Sequence, residues 1–440
     1  MKIRNRKRDE TSQKETRKSS KKKKHPIGRP PNGLLYFFAF VLAYPMAKLL
    51  FRLDDGRKDF APPKGPFLIV ANHSTMLDFL LVMLPFYPRR INAIITNRYF
   101  FSHRLKRILT TMGCIPKSQF EPDVLSIKRV ISVIRRGGSI LLFPEGRCST
   151  DGAFAGIHTS TGKLVKHLGV PVISCYIEGA YSCVPHWRKS LKTGRIRVSV
   201  NELFTADDTS KLSVEEINDA LCLRLSGKSG KRPGAPTGPF REKRLAQGLE
   251  QILFWCPCCN KEYTMLSSGN RFVCTACRVI VNLDKNGNLN ALHDSALPKS
   301  IHDWYMAQAE YLSARLSETM KPLSKTVTIE VTSTSSKNDA VKSGSGNLTL
   351  SPVGWAFTGE IEGANTHLAF PIDTVPAIPF EYNGDFLIYA HGNIYRFNAS
   401  EGVPGTEIAM LGELAHKKFA IKPLITMGAT RQLPTVDKLQ

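Results

Sequence analysis

The stretch from residue 67 to 78, which reads FLIVANHSTMLD, constrains this chain more than any other. A short apolar run ends abruptly at Asn72 and His73, and an acid, Asp78, follows five residues after the histidine. The run has the length and composition of a buried β-strand that leads through a loop into a helix. Because residues five apart on one helix point to different faces, Asp78 meets His73 only if the loop folds back. A carboxylate on one ring nitrogen would then fix the imidazole tautomer and leave the other nitrogen free to take a proton.

Strand and helix patterns alternate through and beyond this stretch. The predicted strands cover residues 67–71, 91–96, 139–143 and 172–177, and the predicted helices cover residues 76–84, 103–112, 124–136 and 161–168. Such alternation predicts an α/β fold with a mostly parallel sheet flanked by helices. Ligands of open α/β sheets bind beyond the carboxyl ends of the strands, which is where His73 would lie.

Two further blocks follow the Asn-His-x4-Asp stretch: LLFPEG, which ends at Glu145 and Gly146, and VPVI, which begins at Val170. By itself, Asn-His-x4-Asp is also compatible with capping residues at a strand–helix junction. The three blocks together, in this order and at this spacing, resemble the glycerolipid acyltransferase family typified by lysophosphatidic-acid acyltransferases. The resemblance covers residues 62–187, under half of the chain.

The resemblance implies a role for each residue of the first block. In that family the histidine deprotonates the free hydroxyl of the acceptor, and the resulting oxygen attacks an acyl thioester. This assigns the base to His73, the orienting acid to Asp78 and a bracing role in the turn to Asn72. An imidazole with a pKa of about 6.5 suits such a base, and general-base help is typically worth about 10²–10⁴-fold in rate.

The second block resembles the family's acceptor-phosphate site, to which Glu145 and Gly146 correspond directly. Backbone N–H groups at a glycine turn suit an anion, and Glu145 is expected to hold a glycerol hydroxyl or to position a cationic neighbour. The common family form continues Thr-Arg-Ser, whereas residues 147–149 read Arg-Cys-Ser. Arg147 is therefore displaced by one position, which puts its contact with the phosphate in doubt.

Another block that usually supplies a cationic phosphate ligand also departs from the family form. It keeps Gly113 but has Gln119 where the arginine falls, and Lys117 could substitute as a less well oriented point charge. The candidate substrate-binding residues are therefore Asn72, Gly113, Lys117, Glu145, Gly146 and Arg147.

Four of the ten cysteines have metal-ligand spacing. Cys256-x2-Cys259 is followed after 14 residues by Cys274-x2-Cys277, which predicts a structural zinc ribbon. Cys258 is an alternative ligand to either member of the first pair. Four thiolates leave no open coordination position, so we expect no catalytic metal and, from the acyltransferase resemblance, no redox cofactor. The remaining cysteines show no disulfide-like pattern, which suits a reducing compartment.

Charge and an apolar segment near the start of the chain predict a membrane surface as a partner. The net charge is +24, of which residues 1–30 carry +10, including a lysine quartet at 21–24. Residues 34–47 form an apolar run broken by Pro45, shorter than the roughly 20 residues of a spanning helix. We expect a helix lying in or dipping into the cytosolic leaflet, so that the protein is monotopic or peripheral on the cytoplasmic face of the cell membrane. A true span and a core helix are the alternatives.

The remainder of the chain predicts further modules. After residue 325 six short strands and a helix at 406–419 indicate a small barrel or curled sheet, similar in pattern to pleckstrin-homology-like domains, without implying a function. The predicted divisions are a disordered basic tail (1–32), a membrane-interacting helix (33–60), the acyltransferase domain (61–225), a linker (226–240), a helix and zinc ribbon (241–290), a helical connector (291–322), the β-rich domain (323–420) and a tail (421–440).

These features together predict a membrane-surface O-acyltransferase of phospholipid biosynthesis. It would move a fatty acyl group from acyl-CoA or acyl-ACP (the acyl-carrier-protein thioester) to a lysophospholipid, first of all 1-acyl-sn-glycerol 3-phosphate, giving phosphatidic acid. The alternatives are a catalytically inactive lipid-binding scaffold and a nucleic-acid-binding zinc-ribbon protein. Few basic and aromatic residues lie between the two cysteine pairs, so we expect no nucleic-acid partner.

Overall fold

The computed structural model describes residues 28–57, 60–227, 232–240, 242–292, 297–316, 323–333, 341–382, 384–399 and 402–420. The lysine quartet at 21–24 and the tail from residue 421 lie outside the described residues. Within the described part, the chain folds into an α/β domain, a four-stranded cysteine-bearing module and a six-stranded β domain.

The first sheet confirms the predicted α/β fold. Its strands are β1 (Leu68–Ala71), β2 (Ile91–Thr96), β3 (Ile115–Lys117), β4 (Ser139–Leu142), β5 (Val172–Glu178) and β6 (Arg197–Phe204). Their order in the sheet is β3-β2-β4-β1-β5-β6, and every pair is parallel except the antiparallel β5 and β6. The central position of β1, between β4 and β5, places the loop after it at the middle of the carboxyl edge.

The side chains of β1 alternate between the two faces of this sheet. Phe67, Ile69 and Ala71 belong to one apolar cluster, and Leu68 and Val70 belong to the other. All five are fully buried. Burial on both faces explains why this strand reads as a continuous apolar run and not as an alternating pattern.

Helices cover both faces of the sheet. They are α1 (Gly33–Phe51), α2 (Asp78–Met83), α3 (His103–Thr111), α4 (Val124–Arg135), α5 (Ser160–Leu168), α6 (Ala180–Cys183), α7 (Ala206–Lys211) and α8 (Val214–Leu225). Helices α1 and α2 share a cluster with one face, and α4, α5 and α8 share a cluster with the other.

Helix α1 is longer than the apolar run predicted. It has 19 residues and continues through Pro45, where the sequence predicted a break. A proline removes one backbone hydrogen bond from a helix, and burial of Ala47 and Phe51 against the sheet offsets that loss. By length and composition the helix is able to cross a membrane. Its outer side carries an exposed apolar stripe, formed by Leu34, Phe37, Phe38, Val41, Leu42, Met46 and Leu49.

The cysteine-bearing module is built on a second, antiparallel sheet. Its strands are β7 (Met265–Ser268), β8 (Arg271–Cys274), β9 (Ile280–Leu283) and β10 (Leu289–Ala291). The helix predicted at the start of the 241–290 segment is wrong, because the described residues before the first cysteine pair form turns and one short 3-10 turn, Leu249–Gln251. Helix α9 (Ile301–Arg315) follows the module, close to its predicted position.

The β domain contains all six predicted strands and the predicted last helix. The strands are β11 (Leu323–Ser333), β12 (Val341–Ser351), β13 (Gly354–Ile361), β14 (Ala364–Pro371), β15 (Asp385–Ala390) and β16 (Asn393–Ala399). They form one antiparallel sheet of order β14-β13-β12-β11-β16-β15, and helix α10 (Gly405–Phe419) packs in its apolar cluster. In the described residues no ladder joins the edge strands β14 and β15, so the sheet is open.

Apolar and polar contacts join the three parts. Tyr181 and Trp187 of the α/β domain share an apolar cluster with Trp304 of α9. Gln308, one turn further along α9, donates to the carbonyl of Ile252 at 3.0 Å and accepts backbone N–H groups from residues 254 and 255. The described part of the predicted linker, residues 232–240, contacts both the α/β domain and the cysteine-bearing module.

Candidate active site

A histidine and a carboxylate meet at the carboxyl end of the central strand. His73 lies on the loop after β1, and Asp78 begins α2, so the chain folds back between them. The Nδ1 atom of His73 lies 3.0 Å from Oδ2 of Asp78. Asp78 is completely buried, whereas a fifth of the His73 side chain is exposed. The pair can therefore receive a substrate only on the side of the imidazole.

Four donors surround the carboxylate of Asp78. Its Oδ2 accepts the backbone N–H groups of Ser74 and Thr75 as well as the His73 contact, and its Oδ1 accepts the Thr75 hydroxyl at 2.8 Å. A carboxylate held by this many donors cannot rotate away from the imidazole. The arrangement fixes the Nδ1–H tautomer of His73 and leaves Nε2 facing the site.

Two polar side chains brace the loop that carries His73. The side-chain amide of Asn72 both accepts from the Ile177 N–H and donates to the Ile177 carbonyl, which ties the end of β1 to β5. Glu145 accepts the N–H of His73 at 2.7 Å and the N–H of Ala155 at 2.9 Å, one on each carboxylate oxygen. Burial raises the pKa of Glu145 to about 7 despite these two bonds.

These contacts revise two of the predicted substrate-binding residues. The sequence predicts both a bracing and a binding role for Asn72, and its two amide atoms are occupied by the backbone of Ile177. Both oxygens of Glu145 already accept backbone N–H groups, so neither is directed at a glycerol hydroxyl in this arrangement. In the folded chain both residues hold the loop that carries His73 in position.

A thiol completes the immediate surroundings of His73. The Sγ atom of Cys148 lies 3.4 Å from Nε2 and 3.8 Å from Nδ1 of the imidazole, whose other neighbour is the ring of Phe143. Burial raises the pKa of the Cys148 thiol, but the imidazoles of His73 and His186 outweigh that effect and lower it to about 6. Burial lowers the pKa of His73, but Cys148 and Asp78 raise it well above its usual range.

Only some of the residues predicted to bind the acceptor phosphate come together in the fold. Gly146 adopts a left-handed conformation with φ of +70°, and open space lies where a Cβ would be. Its carbonyl accepts the side-chain N–H of Gln119 at 2.6 Å, which joins the loop after β3 to this turn. Lys117, at the end of β3, donates to the carbonyl of Ser118, and burial lowers its pKa. Lys117 and the turn at Gly146 therefore lie at the same edge of the sheet, joined through Gln119.

Arg147 does not point to an open anion site. Its Nη2 atom lies 2.9 Å from Oε2 of Glu413, and about four fifths of each side chain is buried. Glu413 belongs to α10 of the β domain, which sequence reasoning did not connect with this site. The expected phosphate ligand is thus neutralised by an internal carboxylate.

Gly113 lies away from the site. It precedes β3, at the amino end of the sheet and opposite to His73. Its φ is +69°, and an added Cβ would come within 2.6 Å of the Asn92 side chain and 2.7 Å of the carbonyl of Arg29. The glycine is needed for this close backbone packing, so the prediction that it binds substrate is not supported by its position.

Loops of the β domain cover the carboxyl edge of the α/β sheet. Arg98 forms an ion pair with Glu381 at 2.6 Å. The ring of Phe120 meets the ring of Tyr389 edge to face, and the N–H of Gly392 donates to Glu121. The β domain therefore packs against the segments that follow β2 and β3 at this edge of the sheet.

The four predicted metal ligands converge at one point. The sulphur atoms of Cys256, Cys259, Cys274 and Cys277 all lie within 4.8 Å of one another. The Cys256–Cys277 and Cys259–Cys274 sulphur pairs are 3.8 and 3.7 Å apart. Tetrahedral Zn²⁺ with bonds of about 2.3 Å to sulphur would separate its ligands by about 3.8 Å. Cys258, the alternative ligand, is exposed and lies outside the group.

Sequence reasoning missed three residues of the site. It treated Cys148 only as part of a departure from the family pattern, and it assigned no role to His186 or Glu413. The one available signal was that Cys148 stands in the position where the family form has an arginine. Nothing near Glu413 or His186 in sequence indicates a role, since only the fold brings them to the site.

Comparisons with known proteins agree with this geometry. Residues 52–178 match a family model described as Acyltransferase. A chloroplastic 1-acyl-sn-glycerol-3-phosphate acyltransferase of Arabidopsis thaliana is 24% identical over 169 residues, which are 38% of this chain and 46% of that protein. A 1-acyl-sn-glycerol-3-phosphate acyltransferase of Chlamydomonas reinhardtii is 24% identical over 171 residues, 39% of this chain and 52% of that protein. The chain thus spans about half the length of the curated relatives it matches.

Among solved structures, the 1-acyl-sn-glycerophosphate acyltransferase of Thermotoga maritima is 19% identical, with a TM-score of 0.37, and the match covers 44% of this chain and 75% of that one. The matched region of the family model contains β1 to β5 and the whole His73–Asp78–Glu145 arrangement. Residues 52–178 are therefore similar to the acyltransferase family, and the curated relatives that the chain resembles are named 1-acyl-sn-glycerol-3-phosphate acyltransferases.

Proposed function

We propose that this protein transfers a fatty acyl group from acyl-CoA or acyl-ACP to the free hydroxyl of a lysophospholipid at a membrane surface. The first acceptor to test is 1-acyl-sn-glycerol 3-phosphate, whose acylation gives phosphatidic acid. The observation that carries the proposal is the 3.0 Å contact between His73 and the fully buried Asp78 at the centre of the carboxyl edge. The names of the relatives support the choice of acceptor.

The chemistry follows from this pair. The acceptor hydroxyl attacks the carbonyl carbon of the acyl thioester as Nε2 of His73 takes its proton, and the negative charge of Asp78 stabilises the imidazolium that forms. Collapse of the tetrahedral intermediate expels the thiolate, which receives the proton from His73. The new ester bond and the free thiol balance the reaction, and no redox step is required.

The acceptor phosphate would be met by the turn at Gly146 and by Lys117. The turn leaves open space beside Gly146, whose own N–H donates to the carbonyl of Phe143, and Lys117 lies at the end of β3, two residues before the Gln119 that contacts this turn. Arg147 would contribute only after its ion pair with Glu413 opened. Because this side differs from the family form, the acyl-transfer test compares acceptors with several head groups.

The surface of α1 supports attachment to a membrane. Its inner side packs on the sheet, while Leu42 and Leu49 of the apolar stripe are 66% and 81% exposed. Helix α3 is exposed along almost its whole length and carries Arg104, Lys106 and Arg107 close to the start of α1. An apolar stripe beside basic residues suits an anionic leaflet, in which the helix would lie parallel to the surface. We propose monotopic attachment to the cytoplasmic face of the membrane.

The four-cysteine group would hold a structural zinc ion. Cys256, Cys259, Cys274 and Cys277 provide four thiolates at tetrahedral spacing, with no fifth ligand position for a substrate. The ion would stabilise this small module. Two of its residues, Leu249 and Phe272, share one apolar cluster with Trp304 of α9. The role of the ion would be to hold the α/β and β domains together.

The proposal is tested by acyl transfer with the full chain on vesicles that contain anionic lipid. Radiolabelled palmitoyl-CoA or palmitoyl-ACP is the donor, and lysophosphatidic acid is compared with lysophospholipids of other head groups. We expect product with lysophosphatidic acid and a loss of about 10²–10⁴-fold for His73→Ala. His167→Ala, an exposed histidine on α5, is the matched control and should retain activity. Absence of product with every acceptor, from protein that still binds vesicles, would favour an inactive lipid-binding scaffold.

A further inference from the structure

We propose that a small cavity at the joint between the α/β domain, the linker, the cysteine-bearing module and α9 binds one inorganic anion of the size of chloride. The cavity has a volume of about 20 Å³, which is enough for one particle of the size of a water molecule or a halide ion. Each of the four segments contributes to its lining. The inference concerns how these segments are held together, so it goes beyond the proposed acyl transfer.

A buried lysine provides the first positive charge. Lys192 is 2% exposed, and its Nζ lies 4.5 Å from the centre of the Trp187 ring and 5.0 Å from that of the Phe240 ring. Within the described residues, this Nζ has no hydrogen-bond acceptor and forms no ion pair, since the nearby acid Glu242 pairs with Arg188. Burial lowers the pKa of Lys192 to about 7. An anion in the cavity would supply the missing counter-charge and stabilise the protonated amine.

A second cation lines the same cavity. Nη1 of Arg232 donates to Oδ1 of Asn288 at 2.9 Å, and Nη2 donates to the carbonyl of Gly287 at 3.0 Å. Both acceptors are neutral, and no carboxylate in the described part of the chain forms an ion pair with Arg232. Arg232 belongs to the linker, whereas Lys192 belongs to the α/β domain. An anion bound by both would therefore join the linker to that domain.

The N-terminus of helix α9 adds a partial positive charge. Ser300 and Ile301 line the cavity, and the helix that begins there has 15 residues. The first backbone N–H groups of a helix have no partner inside it and favour a negative group. The hydroxyl of Ser300 satisfies one of them, because it accepts the N–H of Asp303 at 3.0 Å. The terminus and the unpaired Lys192 are independent features, and both favour an anion.

The charge of the acid that lines the cavity is already balanced. Oδ2 of Asp151 lies 2.6 Å from Nδ1 of His302, and this contact raises the pKa of the imidazole. Oδ1 accepts the N–H of Ala153 at 3.1 Å. Both oxygens of Asp151 are thus engaged by groups other than Lys192 and Arg232. The two cations therefore give the cavity a net positive charge.

Chloride binding is measured on the full chain by the broadening of the chloride NMR signal, with ionic strength held constant by gluconate, which is too large for the cavity. We expect a saturable component that corresponds to one ion per chain. The melting temperature should rise over the same range of chloride concentration. At a concentration about ten times the dissociation constant, chloride should favour the folded over the unfolded chain by about 11-fold.

Two lysine variants separate this site from the general positive charge of the chain. Lys192→Met keeps an unbranched side chain between the two rings and removes the positive charge. It should lose the saturable component and the effect of chloride on the melting temperature. Lys189→Met is the matched control, because Lys189 is exposed and also lies over an aromatic ring, that of Tyr382. The control should keep both properties.

Crystals of the wild-type chain soaked in bromide locate the ion without any variant. An anomalous peak within hydrogen-bonding distance of Nζ of Lys192 supports the site, and it decides the question alone should Lys192→Met fail to fold. A cavity that holds only a water molecule in those crystals overturns the proposal. Chloride broadening that is the same in wild type and in folded Lys192→Met also overturns it.

Discussion

Replacement of Asp78 by asparagine tests whether its charge, beyond its bracing bonds, supports His73. Oδ2 accepts three donors, from His73, Ser74 and Thr75, whereas Oδ1 faces only the Thr75 hydroxyl, which can reverse its role. The carbonyl oxygen of the introduced amide would therefore take the Oδ2 position and its NH₂ group the Oδ1 position. His73 would keep its Nδ1–H tautomer and lose only the charge of its partner.

The size of the effect follows from that charge. Hydrogen bonds to charged groups contribute about 1.5–3 kcal/mol, and loss of this amount from the transition state slows a reaction by about 10- to 150-fold. In a triad where the same change imposes the wrong tautomer, the loss is about 10⁴-fold. We therefore expect Asp78→Asn to lower kcat by about 10- to 150-fold, less than His73→Ala does, and to lower the unfolding free energy by about 1–3 kcal/mol.

The assay is thiol release from palmitoyl-CoA with lysophosphatidic acid, together with urea unfolding of the same samples. Asp284→Asn is the matched control, because that carboxylate also accepts several donors, from residues 286 and 288, but lies in a hairpin of the cysteine-bearing module. The control should lose stability and keep kcat. A wild-type kcat for Asp78→Asn would mean that the acid only braces the loop, and a loss near about 10⁴-fold would mean that the amide turned its NH₂ group to His73.

Four shorter predictions address the rest of the molecule. Alkylation of Cys148 by iodoacetamide should be half-maximal near pH 6, the pKa at which its thiol loses the proton, and an inflection near about 8.5 would contradict the ion pair with His73. Glu413→Gln should lower the unfolding free energy by about 3 kcal/mol, because it leaves the largely buried charge of Arg147 without its partner. Adding Arg147→Met in a double variant should restore most of that loss. Additive losses from the two changes would show that the two side chains do not interact. Leu42→Glu in the apolar stripe should release the chain from anionic vesicles without changing its melting temperature, and unchanged sedimentation with vesicles would refute the orientation of α1. Removal of metal by a chelator should lower the melting temperature and separate the domains around Trp304, whereas an unchanged near-ultraviolet spectrum would argue against a structural ion.

The sequence predicted the parts of the fold whose signals are local. The strand before Asn72 reads as a continuous apolar run because both of its faces are buried, and its position was predicted within one residue. The cysteine spacing and the six β-rich segments were equally informative. The helix predicted at the start of the 241–290 segment was wrong. The apolar residues of this segment are buried in the cluster around Leu249 by turns, so their burial does not require a helix.

The composition of the site was less predictable, since long-range contacts decide it. The contact between His73 and Asp78 spans five residues and could be inferred, but the contact between Arg147 and Glu413 spans 266. Gly113 was grouped with the substrate-binding residues on family spacing alone, and its left-handed conformation serves packing against Asn92. The role of a residue could be predicted where its partner is close in sequence, as for His73 and Asp78. It could not be predicted where the partner belongs to the β domain, as for Arg147 and Glu413.

The cysteine at position 148 replaces a family arginine, and this one change affects both the predicted phosphate-binding site and the surroundings of His73. In the family form an arginine stands at the position of Cys148, and the structure puts this position 3.4 Å from Nε2 of His73. A guanidinium there would oppose a proton on the imidazole and would offer a fork to a phosphate. A thiolate at that position stabilises the proton instead, while the displaced Arg147 pairs with Glu413. Without a free guanidinium at this position, the acceptor head group would meet only the Gly146 turn and Lys117. We therefore expect the acceptor series to show acylation of lysolipids with head groups larger than a phosphate as well, and acylation of lysophosphatidic acid alone would contradict this reasoning.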